Sequence, residues 1–197
     1  MKNFQIRTIN TNQLIYEGKF VNFRSCLEGA IANKTDLTDA KLCNRNLSNA
    51  ALDDGMFKGA DFSGCNLSGA NLSEANMRGA ILKNTDLYNC CFAYADLTGA
   101  DFTGAGFGAT DITGADLTNV VFDTLSCFSL DFTKARSVAG CRFINPDGAV
   151  MDFSAPPVVV RGWREDLAII TDSCIKIGHR IYNRPQAAGY LKRMVLR

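Results

Sequence analysis

The chain has 197 residues, 47% of them hydrophobic and 10% aromatic, enough for one domain with a buried core or one domain with a small appendage, and this excludes a disordered chain. No apolar run approaches the roughly 20 residues that a bilayer span needs, and the opening residues Met1 to Gln5 lack the apolar stretch of a secretory leader, so a cytoplasmic address without membrane contact is expected. The net charge of +1 hides an uneven distribution: residues 34–134 hold 13 acids against 7 bases and residues 135–197 hold 10 bases against 5 acids, which fits a partner that reads charge.

Residues 1–24 carry no repeat and are read as a cap, with short strands at Gln13–Tyr16 and Lys19–Phe23. From Thr35 to Lys134 the sequence divides without a gap into 20 units of five, such as TDLTD, ADFSG, ANLSE and ADLTG. The third position is Leu, Phe, Met or Ile in 19 units, with Cys127 the exception, and the second is Asp or Asn in 12. A period of five matches neither a helix nor a long flat strand, so the chain must turn after every unit. Positions one and three of an extended unit point to the same side, inward, and the Ser, Thr, Gly, Asn and Asp of positions four and five make a corner. Four such corners close a coil of 20 residues, and coils stack at roughly 4.8 Å. Large third-position side chains meeting on a narrow axis require small first-position neighbours, which are Ala, Gly, Cys or Thr in 16 units. Leu37, Phe57, Met77, Leu97 and Leu117 are expected to form one buried ladder, and Leu42, Phe62, Leu82, Phe102 and Phe122 another.

These A(D/N)LXX units resemble the pentapeptide-repeat family, and the resemblance implies an all-β, right-handed quadrilateral β-helix. The frame extends back to Ser25 through SCLEG and AIANK and forward through ARSVA. Gly140 is then read as one extra residue, a bulged corner, before CRFIN, PDGAV and MDFSA carry the rod to Ala155. The expected organisation is therefore a cap over residues 1–24, a β-helix over 25–155 and a C-terminal extension over 156–197. In that extension VVVRGW, LAII and CIKIGHRIY read as strands, with a basic helix from Pro185 making it a small α+β unit. The extension is weakly similar to that of some phage and prophage members of the family.

No catalytic residue is expected, because a filled rod offers no cleft for acid–base work and His179 has no nucleophile motif beside it. Eight cysteines without a CxxC pair and one histidine give no zinc spacing and no disulfide framework, so neither metal nor cofactor is expected. Cys65, Cys90 and Cys127 are read as inward fillers, Cys43 and Cys91 as outward thiols. Arg45 occupies an inward first position, from which it either snorkels to the corner or reaches a carboxylate of the cap.

Between Lys83 and Lys134 the chain has no Lys or Arg but seven Asp, from Asp86 to Asp131. Spread over about 12 Å of axis, they approach the axial charge density of duplex DNA, about one charge per 1.7 Å. The candidate partner-binding residues are Asp96, Asp101, Asp111, Asp116 and Asp123, with Asp96 and Asp116 stacked on one side and Asp101 and Asp123 on an adjacent one. The repeat type is similar to that of quinolone-resistance (Qnr-type) proteins, which implies a DNA-mimicking inhibitor or protector of gyrase, topoisomerase or another nucleic-acid enzyme. The chain departs from that type in its uninterrupted coils and its longer, basic tail. The alternative is a scaffold or adaptor whose extension docks a protein. Either way the expected partner is a protein, not nucleic acid itself, and a homodimer is an open option.

Overall fold

The computed structural model describes residues 1–123 and 127–144 with side chains, except that of Phe128, and beyond them only the backbone of five strands between residues 150 and 183. The extended units stack in parallel at a spacing of 20 residues, through bridges such as Lys41↔Asp61, Asn46↔Asn66, Ala51↔Asn71 and Met56↔Asn76. Four such columns, each five residues from the next, make a four-sided β-helix. We number the sides by their outward second positions: side 1 carries Met56, Asn76, Asp96 and Asp116; side 2 Lys41, Asp61, Ile81, Asp101 and Val121; side 3 Asn46, Asn66, Asp86 and Gly106; side 4 Ala51, Asn71, Cys91 and Asp111.

Backbone pairing follows the five-residue frame. Each third-position N–H donates to the second-position carbonyl one coil on, as Leu97 does to Asp116 at 2.9 Å, and each fifth-position N–H to the fourth, as Gly99 does to Thr118 at 2.8 Å. Corners require a left-handed residue at position five, and φ there is +54° at Asn49, +67° at Gly59 and +71° at Gly99. This is why Gly, Asn and Asp recur at that place.

Both expected ladders are buried to within 1% of complete, from Leu37 to Leu117 and from Leu42 to Phe122. Phe102, Phe122 and Phe143 stack at 5.5 Å between successive centroids. Small polar first-position residues serve the core as well: the Thr85 and Thr110 hydroxyls and the Cys65 and Cys141 thiols each donate to a main-chain carbonyl of the coil beneath. Burial pushes the Cys65 thiol up to about 11 and Cys141 to about 12, and raises Cys90 further, so these thiols stay protonated.

The N-terminal end differs from the sequence expectation. Residues 25–34 do not continue the rod: Phe23–Ala32 is an α-helix, α1, capped by Asn22, whose side chain accepts from the Ser25 N–H at 2.8 Å. Its buried stripe, Phe23, Cys26, Leu27 and Ala30, has the i, i+3, i+4, i+7 spacing of a helix lying on a core. Before it, β1 (Lys2–Arg7) and β2 (Leu14–Phe20) form one antiparallel hairpin in place of the two separate strands expected. The cap also completes the pairing of the first coil. Lys41 N–H donates to Arg7 at 2.8 Å, Arg24 reaches the Ser48 carbonyl at 2.8 Å, and Glu28 accepts from the Ala51 N–H at 3.2 Å. An open rod end would otherwise present these groups as an edge.

The C-terminal slip lies one unit earlier than expected. Arg136 N–H donates to Ala115 while Ser137 bridges Asp116, so two residues oppose one and the bulge is at Arg136–Ser137. Val138 then takes the inward third position and Gly140, at φ +68°, is an ordinary fifth-position corner. Strand β3 (Asp101–Phe102), β4 (Val121–Asp123) and β5 (Cys141–Ile144) continue side 2 in parallel. The next strand, β6 (Val150–Phe153), runs antiparallel to β5, so the coil path does not carry on through MDFSA to Ala155. Strands β7 (Val158–Trp163), β8 (Asp166–Ile170), β9 (Cys174–Ile177) and β10 (Arg180–Asn183) form an antiparallel meander: VVVRGW and LAII are strands as expected, whereas CIKIGHRIY is divided into two. The helix expected from Pro185 lies outside the described residues.

Candidate interaction surface

The interior leaves no room for chemistry, because first and third positions fill it. Among the described residues two hollows lie at the cap, one of about 450 Å³ between Ile31 and Met56 and one of about 320 Å³ between Asn22 and Ser48. What the rod offers a partner is its outer surface.

The outward second position is built by a local turn. Its Asp or Asn Oδ1 accepts the N–H two residues on, at 3.0 Å from Thr98 to Asp96, from Thr103 to Asp101, from Thr113 to Asp111 and from Thr118 to Asp116. Asn46, Asn66, Asn71 and Asn76 make the same bond. The recurring acid or amide is therefore a structural element first, and whether it carries charge is a separate choice.

The five candidate aspartates do not form one surface. Asp96 and Asp116 bridge on side 1, Asp101 and Asp123 belong to side 2, with Val121 rather than Asp123 directly opposite Asp101, and Asp111 is on side 4. Three are paired with bases from neighbouring coils: Arg78–Asp96 at 3.0 Å, Lys83–Asp101 at 3.1 Å and Arg136–Asp116 at 3.0 Å. Burial acts to raise these three carboxyls. Hydrogen bonds from Thr98, Thr103 and Thr118, and the neighbouring bases, outweigh it and hold all three below the ordinary aspartate value. Asp111 is lowered by the hydrogen bonds from Thr113, against opposing burial and with help from Lys134.

Sorting charges by side shows a division that the linear sequence conceals. Lys41, Lys58, Arg78, Lys83, Arg136 and Arg142 all belong to sides 1 and 2. Among the described residues sides 3 and 4 carry Asp53, Asp54, Glu74, Asp86, Asp111 and Asp131, with bases only at their two ends, Arg45 and Lys134. Among the described residues Asp86 and Asp111 have no ion-pair partner. Of the two outcomes expected for Arg45 the structure shows the outward one: the side chain is exposed, its guanidinium carbon 4.3 Å above the Phe23 ring of α1.

Sides 3 and 4 also hold two residues that the sequence reading passed over. Tyr88 and Tyr94 are 53% and 65% exposed, at a fourth and a fifth position where polar turn formers dominate. Tyr94 has φ +61°, a conformation that costs a bulky side chain about 1 kcal/mol or more. The signal was available as an aromatic residue at a left-handed corner that elsewhere holds Gly, Asn or Asp, apart from Glu74 and Ala109. Cys43 and Cys91 are partly exposed, as their frame positions imply, and Cys65, Cys90 and Cys127 are buried.

The family model described as pentapeptide repeats matches residues 46–84, 57–93 and 80–119. Among solved structures, the chain is similar to a pentapeptide repeat protein from the cyanobacterium Cyanothece at 28% identity, over 44% of this chain and 56% of that one, with a TM-score of 0.34. It is also similar to HetL, a pentapeptide repeat protein involved in heterocyst differentiation regulation in the cyanobacterium Nostoc, at 21% identity, over 56% of this chain and 64% of that one, TM-score 0.31. A third likeness, to a pentapeptide repeat protein of the Arabidopsis thaliana thylakoid lumen, has 27% identity over 43% of this chain and 66% of that one, TM-score 0.22. The matched segments span less than two thirds of each of these chains. No curated protein matches.

Proposed function

The chain is a pentapeptide-repeat protein, and from that premise we propose that it works as a non-enzymatic, protein-docking rod, wound right-handed as the repeat type implies. The observation that carries the proposal is the filled core: from Leu37 to Phe132 every described third-position side chain is at most 7% exposed, so the variable chemistry lies on the outer sides. Such a surface binds by complementarity.

Within this reading, the adaptor role is better supported than imitation of DNA. Duplex DNA presents its charges to a partner, whereas Asp96, Asp101 and Asp116 each share theirs with a base at 3.0–3.1 Å. Mimicry retains one support, the stacking of Asp96 on Asp116 at the coil spacing. Competition with labelled duplex DNA for gyrase and for a restriction nuclease, at low and moderate salt, separates the two. The expected result is no competition by the intact chain. Competition that fades when Asp96, Asp101, Asp116 and Asp123 are all changed to Asn would replace the adaptor with a DNA mimic.

A further inference from the structure

Tyr88 and Tyr94 flank side 4 in a single coil, and the outward residues between them are Asn89, Cys91 and Ala93. Asp111 bridges Cys91 from the next coil, and Asp86 precedes Tyr88 by two residues, accepting its N–H at 3.1 Å. Both rings lie over glycines. A Cβ on Gly108 would come within 2.2 Å of the Tyr88 ring, and one on Gly114 within 2.5 Å of the Tyr94 ring. Gly114 is a left-handed corner, but Gly108 is not, so no backbone requirement selects Gly108; room for the tyrosine does. The two rings are thus held in place yet left more than half exposed.

Seated, exposed tyrosines are effective interface anchors because they bury much area at little loss of conformational freedom. Their surroundings define what they meet. Asp86 and Asp111 have no ion pair among the described residues, and between Arg45 and Lys134 sides 3 and 4 carry no base. A flat aromatic ring beside a carboxylate that no base pairs at close range suits a guanidinium, which stacks on the ring with its face and donates to the carboxylate with its edge. This chain uses the aromatic half of that chemistry internally, at Arg45 over Phe23.

Building on the protein-docking reading, we propose that the surface around Tyr88, Tyr94, Asp86 and Asp111 is the docking site for a partner protein that presents an exposed, arginine-bearing basic segment. The charge of sides 3 and 4 steers such a segment in, and the two rings select arginine over lysine.

The test uses the full chain and two fluorescein-labelled probes, nona-arginine and nona-lysine peptides, followed by anisotropy at about 0.15 M salt. The arginine peptide should bind more tightly. Joint replacement Tyr88→Ala and Tyr94→Asn should weaken it about tenfold and erase the preference over lysine. Asp86→Asn with Asp111→Asn should weaken both peptides, while Asp96→Asn with Asp101→Asn, on sides 1 and 2, should leave binding unchanged. Bound arginine peptide should also slow alkylation of Cys91 and not of Cys43 on side 2. Circular dichroism establishes that each variant is folded.

Failure of the arginine peptide to bind, or binding that the tyrosine pair does not affect, overturns the proposal. Loss on sides 1 and 2 with protection of Cys43 overturns the assigned site while leaving a protein-docking rod standing. If in addition no protein binds the immobilised chain saturably, both readings fall. Concentration-dependent self-association abolished by the tyrosine pair, seen by sedimentation velocity, would overturn the separate partner in favour of a second copy's basic tail.

Discussion

Sides 1 and 2 of the rod and sides 3 and 4 are built on the same inward residues and opposite outward ones. On sides 1 and 2, Arg78 and Lys83 stand at fourth positions 18 residues before the aspartates they pair with, and Arg136 stands 20 residues after Asp116. On sides 3 and 4 the corresponding places hold Ser68 before Asp86 and Ala93 before Asp111, so neither Asp86 nor Asp111 makes an ion pair among the described residues, and Asp111 feels only the more distant Lys134. The difference teaches that in a coil of this kind the surface can be composed almost independently of the fold. The turn bond made by the second position is satisfied by Asp and Asn alike, so charge can be added or removed on one side without disturbing the frame.

The comparison can be broken from the inside. If only the outer residues differ, an acid placed at a third position should be equally ruinous on either pair of sides. Leu97→Asp on side 1 and Phe92→Asp on side 4 each bury an unpaired charge where the native residue is fully buried, and both should abolish soluble folding. A soluble, cooperatively melting protein from one and not the other, by circular dichroism and thermal melting, would show that the two pairs of sides share the core unequally.

Acid sharpens it. The folded-state pKa values of Asp96, Asp101 and Asp116 are depressed, so the stability they contribute is fully present above the unfolded value of about 3.9 and is lost as the pH falls through the lower, folded value. Changing all three to Asn should therefore lower stability at pH 7 by about 0.5 kcal/mol per pair, and make the remaining stability less dependent on pH below about 4. Asp111→Asn should flatten the same limb less than Asp116→Asn does alone, since both lose hydrogen bonds from a threonine but only Asp116 also loses a close ion pair. Urea denaturation of these variants across that range is the measurement, and equal slopes for the two single changes would remove the electrostatic distinction between the sides.

Much of this architecture is legible in the sequence because it depends on position within the unit. The ladders from Leu37 and Leu42, the corners and the buried cysteines all follow from the frame. Where the frame was extended by its own logic it misled. SCLEG and AIANK fit five-residue units, but Asn22 as a cap and the stripe Phe23, Cys26, Leu27, Ala30 belong to a helix, and the helical spacing won because that segment has no earlier coil to stack on. The sequence frame places the extra residue at Gly140, between ARSVA and the resumed pattern at CRFIN, whereas the exposed Arg136 and the buried Val138 mark the slip one unit earlier. The ion pairs were missed for a different reason. Counting bases along the chain between Lys83 and Lys134 finds none, yet a coil of 20 residues brings Arg78, Lys83 and Arg136 beside that segment's acids. Arg45 found an aromatic face because the cap that meets it is a helix carrying Phe23.

The smallest expected effect falls on the corner between sides 4 and 1. Tyr94 holds φ +61° where a bulky side chain is disfavoured and Asn is tolerated, as Asn49, Asn84 and Asn89 show at equivalent corners. Its ring is 65% exposed, so truncation removes little buried surface beyond the contact with Gly114. Tyr94→Asn should therefore raise stability by up to about 1 kcal/mol, or about 2–4 °C in Tm for a chain of this size. The reverse change at the corner between sides 1 and 2 calibrates the strain. Gly99 has φ +71° and no atom within 4 Å of an added Cβ, so Gly99→Tyr should lose about the same amount with no clash at Cβ to confuse the reading. A stabilised Tyr94→Asn that also binds the arginine peptide less well would mean that the native residue is retained for contact at the expense of the fold. A Tyr94→Asn variant destabilised by more than about 1 kcal/mol would instead make the tyrosine a structural part of the corner, held by its seat on Gly114.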